Sequence, residues 1–250
     1  MWRQLRFGRR KTPIPQGLWD EALRSLPYCA LLPPADQSRL QELVIRFLHA
    51  KHFEGAAELA ITDRMRVQVA LQACLLILNL DFDYYTGWHA VILYPGDFRV
   101  PKEAMDEAGV IHQWTDELAG ESWERGPVIL SWDATVNPEP GVNIVLHEFA
   151  HKLDMRDGVA DGCPPLPAHI APAEWGRDFQ SAYRQLCTAL DCGEPVRIDE
   201  YAAESPAEFF AVMSEFFFLE PGLLMEDFPA IYRHLRDFYR QDPLRVLKPQ

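Results

Sequence analysis

Hydrophobic positions recur at helical spacing through the first third of the chain. Leu18 to Leu26 predicts a short helix stopped by Pro27. Asp36 stands at an N-cap position, and Leu40, Leu43, Val44, Phe47 and Leu48 follow three and four apart. Thr62 or Asp63 caps the next helix, which carries Val67, Ala70, Leu71, Cys74, Leu75 and Leu78. The longest nearly apolar run, Val69 to Leu80, falls short of the ~20 residues that cross a bilayer and suits a buried helix.

The pattern then changes. His89–Tyr94 (HAVILY) and Val128–Trp132 (VILSW) are short β-rich runs bounded by Gly, Pro and Asp. The second is either a core strand or an edge to which an extended peptide adds. Helical spacing returns from Val142 to about Met155 and ends at Asp157-Gly158. Residues 158–173 form a Pro-rich loop, and helices fit 174–190, 206–219 and 228–240. Helices, a few strands, then helices again predict an α+β fold, mainly helical with a small sheet.

Composition excludes disorder and disulfide mini-scaffolds: of 250 residues 48% are hydrophobic and 24% charged. With 24 Lys+Arg against 37 Asp+Glu the net charge is −13, which argues against direct nucleic-acid binding. The charge is uneven, because MWRQLRFGRRKT carries five basic residues and no acid. No apolar segment follows it, so it reads as a solvated tail rather than a secretion signal. Five cysteines without a C-x-x-C pair read as reduced thiols. A soluble cytoplasmic protein without a membrane partner is the expectation.

Within NIVLHEFAHKLD stands His147-Glu148-Phe149-Ala150-His151, an H-E-x-x-H motif that arises by chance in roughly 2% of chains of this composition. On a helix the two histidines share a face, one turn apart, and their imidazoles can reach one zinc ion. Glu148 lies beside that face and can act as general base on a water. A third protein ligand is needed. Asp157 is one candidate, but no Gly turns the chain back at Asp154. The other source is YAAESPAEFFAVMSEFFFL, residues 201–219. Glu208 there is either the third ligand or the third residue of a capping box begun by Ser205. Glu204 and Glu215 are weaker candidates. Asp154, seven residues after His147, either holds a ligand imidazole through its second nitrogen or is a solvated helix-end carboxylate. Tyr201 either donates its hydroxyl to a developing oxyanion or simply packs.

VLHEFAHKLDMRDG, YAAESPAEFFAVMSEFFF and FYRQDPL, with FEGAAELAITDRMRVQVALQACLLIL and GPVILSWDATV upstream, together resemble the Mlc titration factor A family over roughly residues 15–245. The resemblance implies a cytoplasmic zinc metallopeptidase of zincin-like fold with a gluzincin-like site. It implies His147, His151 and Glu208 as ligands of one Zn2+, Glu148 as catalytic base and Tyr201 near the active site. Aminopeptidase-type activity on small peptides is implied, as is binding of the Mlc glucose repressor. Residues 1–14 are then a basic tail, 15–80 an N-terminal helical part, and 81–250 the catalytic part, compact with 15–80. Two other readings remain: a weakly catalytic protein that sequesters a regulator, and a zinc hydrolase of non-peptide substrates.

Overall fold

In the computed structural model, residues 13–105, 111–122 and 125–247 are described. The basic segment 1–12 lies outside them. Helices α1 (Gln16–Ser25), α2 (Pro27–Leu31) and α3 (Pro34–Ala50) open the fold. Proline at the first position of α2 and α3 costs no hydrogen bond there. Asp36 is therefore not an N-cap: α3 starts two residues earlier, and Asp36 sits in its first turn, where its charge favours the helix dipole. Strand β1 (His52–Gly55) leads to α4 (Asp63–Leu76). Thr62 caps α4, its Oγ1 accepting from the Met65 amide. From Val67 onward α4 is buried on all sides.

Strands β2 (Ala90–Tyr94), β3 (Phe98–Met105), β4 (Ile111–Leu118), β5 (Gly120–Ser122) and β6 (Val128–Ser131) follow. One four-stranded sheet has the order β1-β2-β6-β5. β1, β2 and β6 run parallel, and β5 pairs antiparallel to β6, with Glu121 opposite Ile129. β3 and β4 form a separate antiparallel hairpin. The β6 segment is thus an interior strand, and the sheet edge belongs to β5. The β1–α4–β2 crossover is a local parallel unit inside an otherwise mainly helical α+β fold.

The second half contains α5 (Trp132–Val136), α6 (Ile144–Asp154), α7 (Pro172–Asp191), α8 (Pro206–Leu219), α9 (Pro221–Asp227), α10 (Pro229–Tyr239) and α11 (Pro243–Leu247). One cluster of buried side chains runs from Ile14 to Tyr239. Phe149, on α6, meets Phe47, Tyr85 and Trp88 with ring centroids 5.7, 5.4 and 5.8 Å away. This aromatic group holds one face of α6 against the N-terminal helices and leaves the opposite face for His147 and His151. Phe210, on α8, packs on Trp175 and Phe238 in the same way. Among the described residues no helix is long and apolar enough to cross a membrane.

Candidate metal centre

Helix α6 begins at Asn143, whose Oδ1 accepts from the Leu146 amide at 3.0 Å. From Val145 to Asp154 every residue of the helix is buried. His147 and His151 stand one turn apart, with Nε2 atoms 3.1 Å from each other. Helix α8 packs across α6. Its own N-cap is Ser205, whose Oγ accepts from the Glu208 amide. The carboxylate of Glu208 does not turn back to complete a capping box. Instead Oε2 lies 2.9 Å from His147 Nε2 and 3.1 Å from His151 Nε2. Small residues on this side of α8, Ala207 and Ala211, let the helices approach.

Two imidazole nitrogens and one carboxylate oxygen therefore converge on one point, and His147, His151 and Glu208 form a group able to hold a metal ion. In a tetrahedral zinc set with bonds of about 2.0–2.1 Å, ligand atoms sit roughly 3.3 Å apart. The observed 2.9–3.1 Å spacing needs only a slight spreading to match. Three nitrogen and oxygen donors with a cleft beside them fit a three-ligand site that keeps a position open.

The buried charges of the group are strongly coupled. Burial pushes the His147 pKa down, but hydrogen bonds to Glu208 and Glu215 outweigh it and hold the imidazole well above its usual range. Burial raises the Glu208 pKa, yet the hydrogen bonds and charges of the two imidazoles win and keep its carboxylate well below the usual range. Glu148 is 4% exposed, and desolvation lifts its pKa despite the opposing pull of His147, His151 and Ser122.

Glu215 has a different place from the one its residue type suggests. It sits seven residues beyond Glu208, two turns further along the same face of α8. Its Oε1 accepts Nδ1–H of His147 at 2.8 Å, and its Oε2 accepts the backbone N–H of Asn143. It thus holds the His147 tautomer and the start of α6 together. The spacing of seven, and an acid buried in an otherwise apolar helix, were the signals for it. Asp154 does not hold His147: its Oδ2 accepts the Gly162 amide at 2.9 Å. Nor is it a solvated helix-end carboxylate, being fully buried. Asp157 is exposed beyond the helix end and faces the Val159 amide, and Glu204 is exposed as well.

A cleft of about 210 Å³ opens beside the group, walled by Gly120 of β5, Val142, Ile144, Val212, Asp199 and Tyr201. The Tyr201 ring lies 5.9 Å from that of His147 and is 46% exposed. Glu148 also lines this cleft, next to the edge strand.

A family model described as glucose-regulated metallo-peptidase M90 matches residues 1–240. The chain belongs to this family. Mlc titration factor A of Klebsiella pneumoniae (strain 342) is 38% identical over 240 residues, which cover 92% of this chain and 88% of that protein. Mlc titration factor A of Yersinia pestis (strain Pestoides F) is 39% identical over 235 residues, covering 92% and 86%. A metallo-peptidase family and a His-His-Glu group, its histidines buried and Glu208 half-buried, agree in pointing to a metal ion at this place.

Proposed function

We propose that this M90 protein is a zinc-dependent, aminopeptidase-type metallopeptidase whose metal is held by His147, His151 and Glu208. The observation that carries the reading is the convergence of those three donors beside a cleft that Glu148 also lines. Bound zinc supplies a Lewis acid that polarises the scissile carbonyl and acidifies a water. Glu148 takes the proton from the attacking water and returns it to the leaving amine. Tyr201, a half-exposed residue of the cleft wall, donates its hydroxyl to the oxyanion. Glu215 fixes the His147 ring by accepting its Nδ1–H. The substrate backbone adds to the β5 edge, since β6 is covered on both sides.

The test is metal analysis with peptide hydrolysis for the wild type and Glu148→Gln. Equimolar zinc in both, with hydrolysis lost only in the variant, is the expected result. Full activity in a zinc-loaded Glu148→Gln protein would remove Glu148 from the mechanism.

The relatives' name favours a second role, binding a transcriptional repressor of the Mlc type in the cytoplasm. The acidic body, −13 overall, suits a basic partner surface. Mixing with purified repressor on its operator DNA tests this. Release of the DNA supports the role, and an undisturbed repressor–DNA complex at equimolar protein rejects it.

A further inference from the structure

An enzyme that removes N-terminal residues must hold an ammonium group beside the scissile carbonyl. The zinc site makes that demand acute. Two neutral imidazoles, Glu208 and Zn2+ sum to +1, and like charges close together in a cleft repel. A carboxylate is needed to offset this.

Three acids line the cleft: Glu148, Asp199 and Glu215. Both oxygens of Glu215 are engaged, one by His147 Nδ1–H and one by the Asn143 amide. Glu148 is assigned to proton transfer. Asp199 is left. Its Oδ1 accepts the Tyr201 amide at 2.9 Å, which caps a short 3-10 turn (Glu200–Ala203). Among the described residues no partner occupies its Oδ2. The turn itself is pinned, with Ala202 fully buried and the Tyr183 hydroxyl donating to the Ala203 carbonyl at 2.9 Å. Asp199 is therefore an oriented carboxylate with one open oxygen, two residues before the tyrosine whose ring faces His147.

We infer that Asp199 binds the free α-ammonium of the substrate and so restricts the enzyme to peptides with an unblocked N-terminus. This rests on the metallopeptidase reading above. An ammonium–carboxylate hydrogen bond gains from both charge and direction. Asp199 lines the same cleft as His147 and Glu148, so a substrate held there by its ammonium is counted from its first residue.

Asp199→Asn keeps an oxygen for the Tyr201 amide and removes only the charge. The assay compares zinc-loaded wild type and Asp199→Asn on a chromogenic aminoacyl anilide, its N-acetyl derivative and its des-amino analogue. The expected result is a wild-type preference for the free amine. In Asp199→Asn, KM for that substrate rises about ten- to a hundredfold, kcat stays within about threefold, and KM for the des-amino analogue is unchanged. Calorimetry reads the same contact without turnover: a free-amine dipeptide binds Glu148→Gln and binds Glu148→Gln/Asp199→Asn weaker by the same factor. An unchanged KM and dipeptide affinity in the Asp199 variants overturns the inference, as does a wild type that cleaves the N-acetyl substrate equally well. Failure of the underlying reading shows separately, as full turnover in Glu148→Gln; calorimetry with a free amino acid, which no hydrolysis consumes, then still reports on Asp199.

Discussion

Gly120 of the edge strand stands directly against Glu148 of α6. A methyl group at Gly120 would come within 2.6 Å of Glu148 Oε1 and 2.7 Å of its Cγ. The constraint is one of space, because the neighbouring Ile144 side chain closes the same gap at 2.7 Å. β5 can therefore lie over α6 only if position 120 carries no side chain. The strand proposed to bind substrate backbone and the carboxylate proposed to move the proton are set at contact distance by this one residue.

Gly120→Ala should accordingly displace Glu148 without touching His147, His151 or Glu208. A shift of about 1 Å in a catalytic group costs on the order of a hundredfold in rate. We expect kcat/KM for peptide hydrolysis to fall by that order while bound zinc stays equimolar. A variant that loses zinc together with activity would show that the damage spreads beyond Glu148.

Glu215 holds His147 by a 2.8 Å hydrogen bond from inside the protein. Losing such a partner of a ligand histidine typically weakens metal binding 10- to 100-fold. Glu215→Leu should show that loss in a chelator competition. Glu215→Gln, which keeps one acceptor oxygen, should lose less. Equal zinc affinity in all three proteins would reduce Glu215 to a helix tie through Asn143.

These contacts mark how far the residues could be read before the fold was known. α6 and α8 were legible because apolar residues recur at helical spacing, and Ser205-Pro206 starts α8 on local chemistry alone. The direction of the Glu208 side chain was not. Ser205 caps α8 either way, and only the packing of α8 on α6 turns the carboxylate to the histidines. For Glu215 the sequence suggests only a weaker ligand candidate, because its burial and its contact with the second imidazole nitrogen are tertiary facts. Asp154 lies seven residues after His147, so spacing alone offers it either the contact that Glu215 makes or a solvated helix end. β1 was invisible because His-Phe-Glu-Gly has no strand pattern until β2 supplies its hydrogen bonds. The β3–β4 hairpin escaped for a similar reason: FRVPKEAM and IHQWTDEL are polar, with a proline in the first.

Gly162 joins three elements around Glu208. Its N–H donates to Asp154 at the end of α6, and its carbonyl accepts Nε1–H of Trp175 on α7 at 3.1 Å. Its φ is +80°, and a Cβ would meet the Pro206 carbonyl oxygen at 2.4 Å, two residues before Glu208. Gly162→Ala must push back the start of α8. Gly193 is the control, with φ +69° and nothing within 4 Å of an added Cβ. Both alanine variants should lose roughly 1–2 kcal/mol of stability from the left-handed backbone. Only Gly162→Ala should also weaken zinc binding, by tenfold or more. Equal zinc affinity in the two variants would show that the α8 N-terminus absorbs the clash without moving Glu208.

Asp154 gives the fold a pH dependence whose sign is unusual for a carboxylate. Burial is the largest influence on it and raises its pKa to about 7, against the Gly162 hydrogen bond, with the charge of Asp161 adding to the rise and that of His151 opposing it. An unfolded aspartate loses its proton near pH 3.9. Below about pH 4 both states are protonated and the group has no effect on stability. Between about pH 4 and 7 the folded protein keeps a proton that the unfolded chain has released. The folded state binds more protons there, so stability falls as pH rises, by up to roughly 1.4 kcal/mol per pH unit, and levels off above 7. Asp154→Asn retains an acceptor for the Gly162 amide but cannot ionise. Denaturant unfolding of the two metal-free proteins across pH 4–8 should give the wild type a more negative slope than the variant up to about pH 7, and parallel lines above it. Parallel lines throughout would mean that Asp154 ionises at the same pH in the folded and unfolded chains.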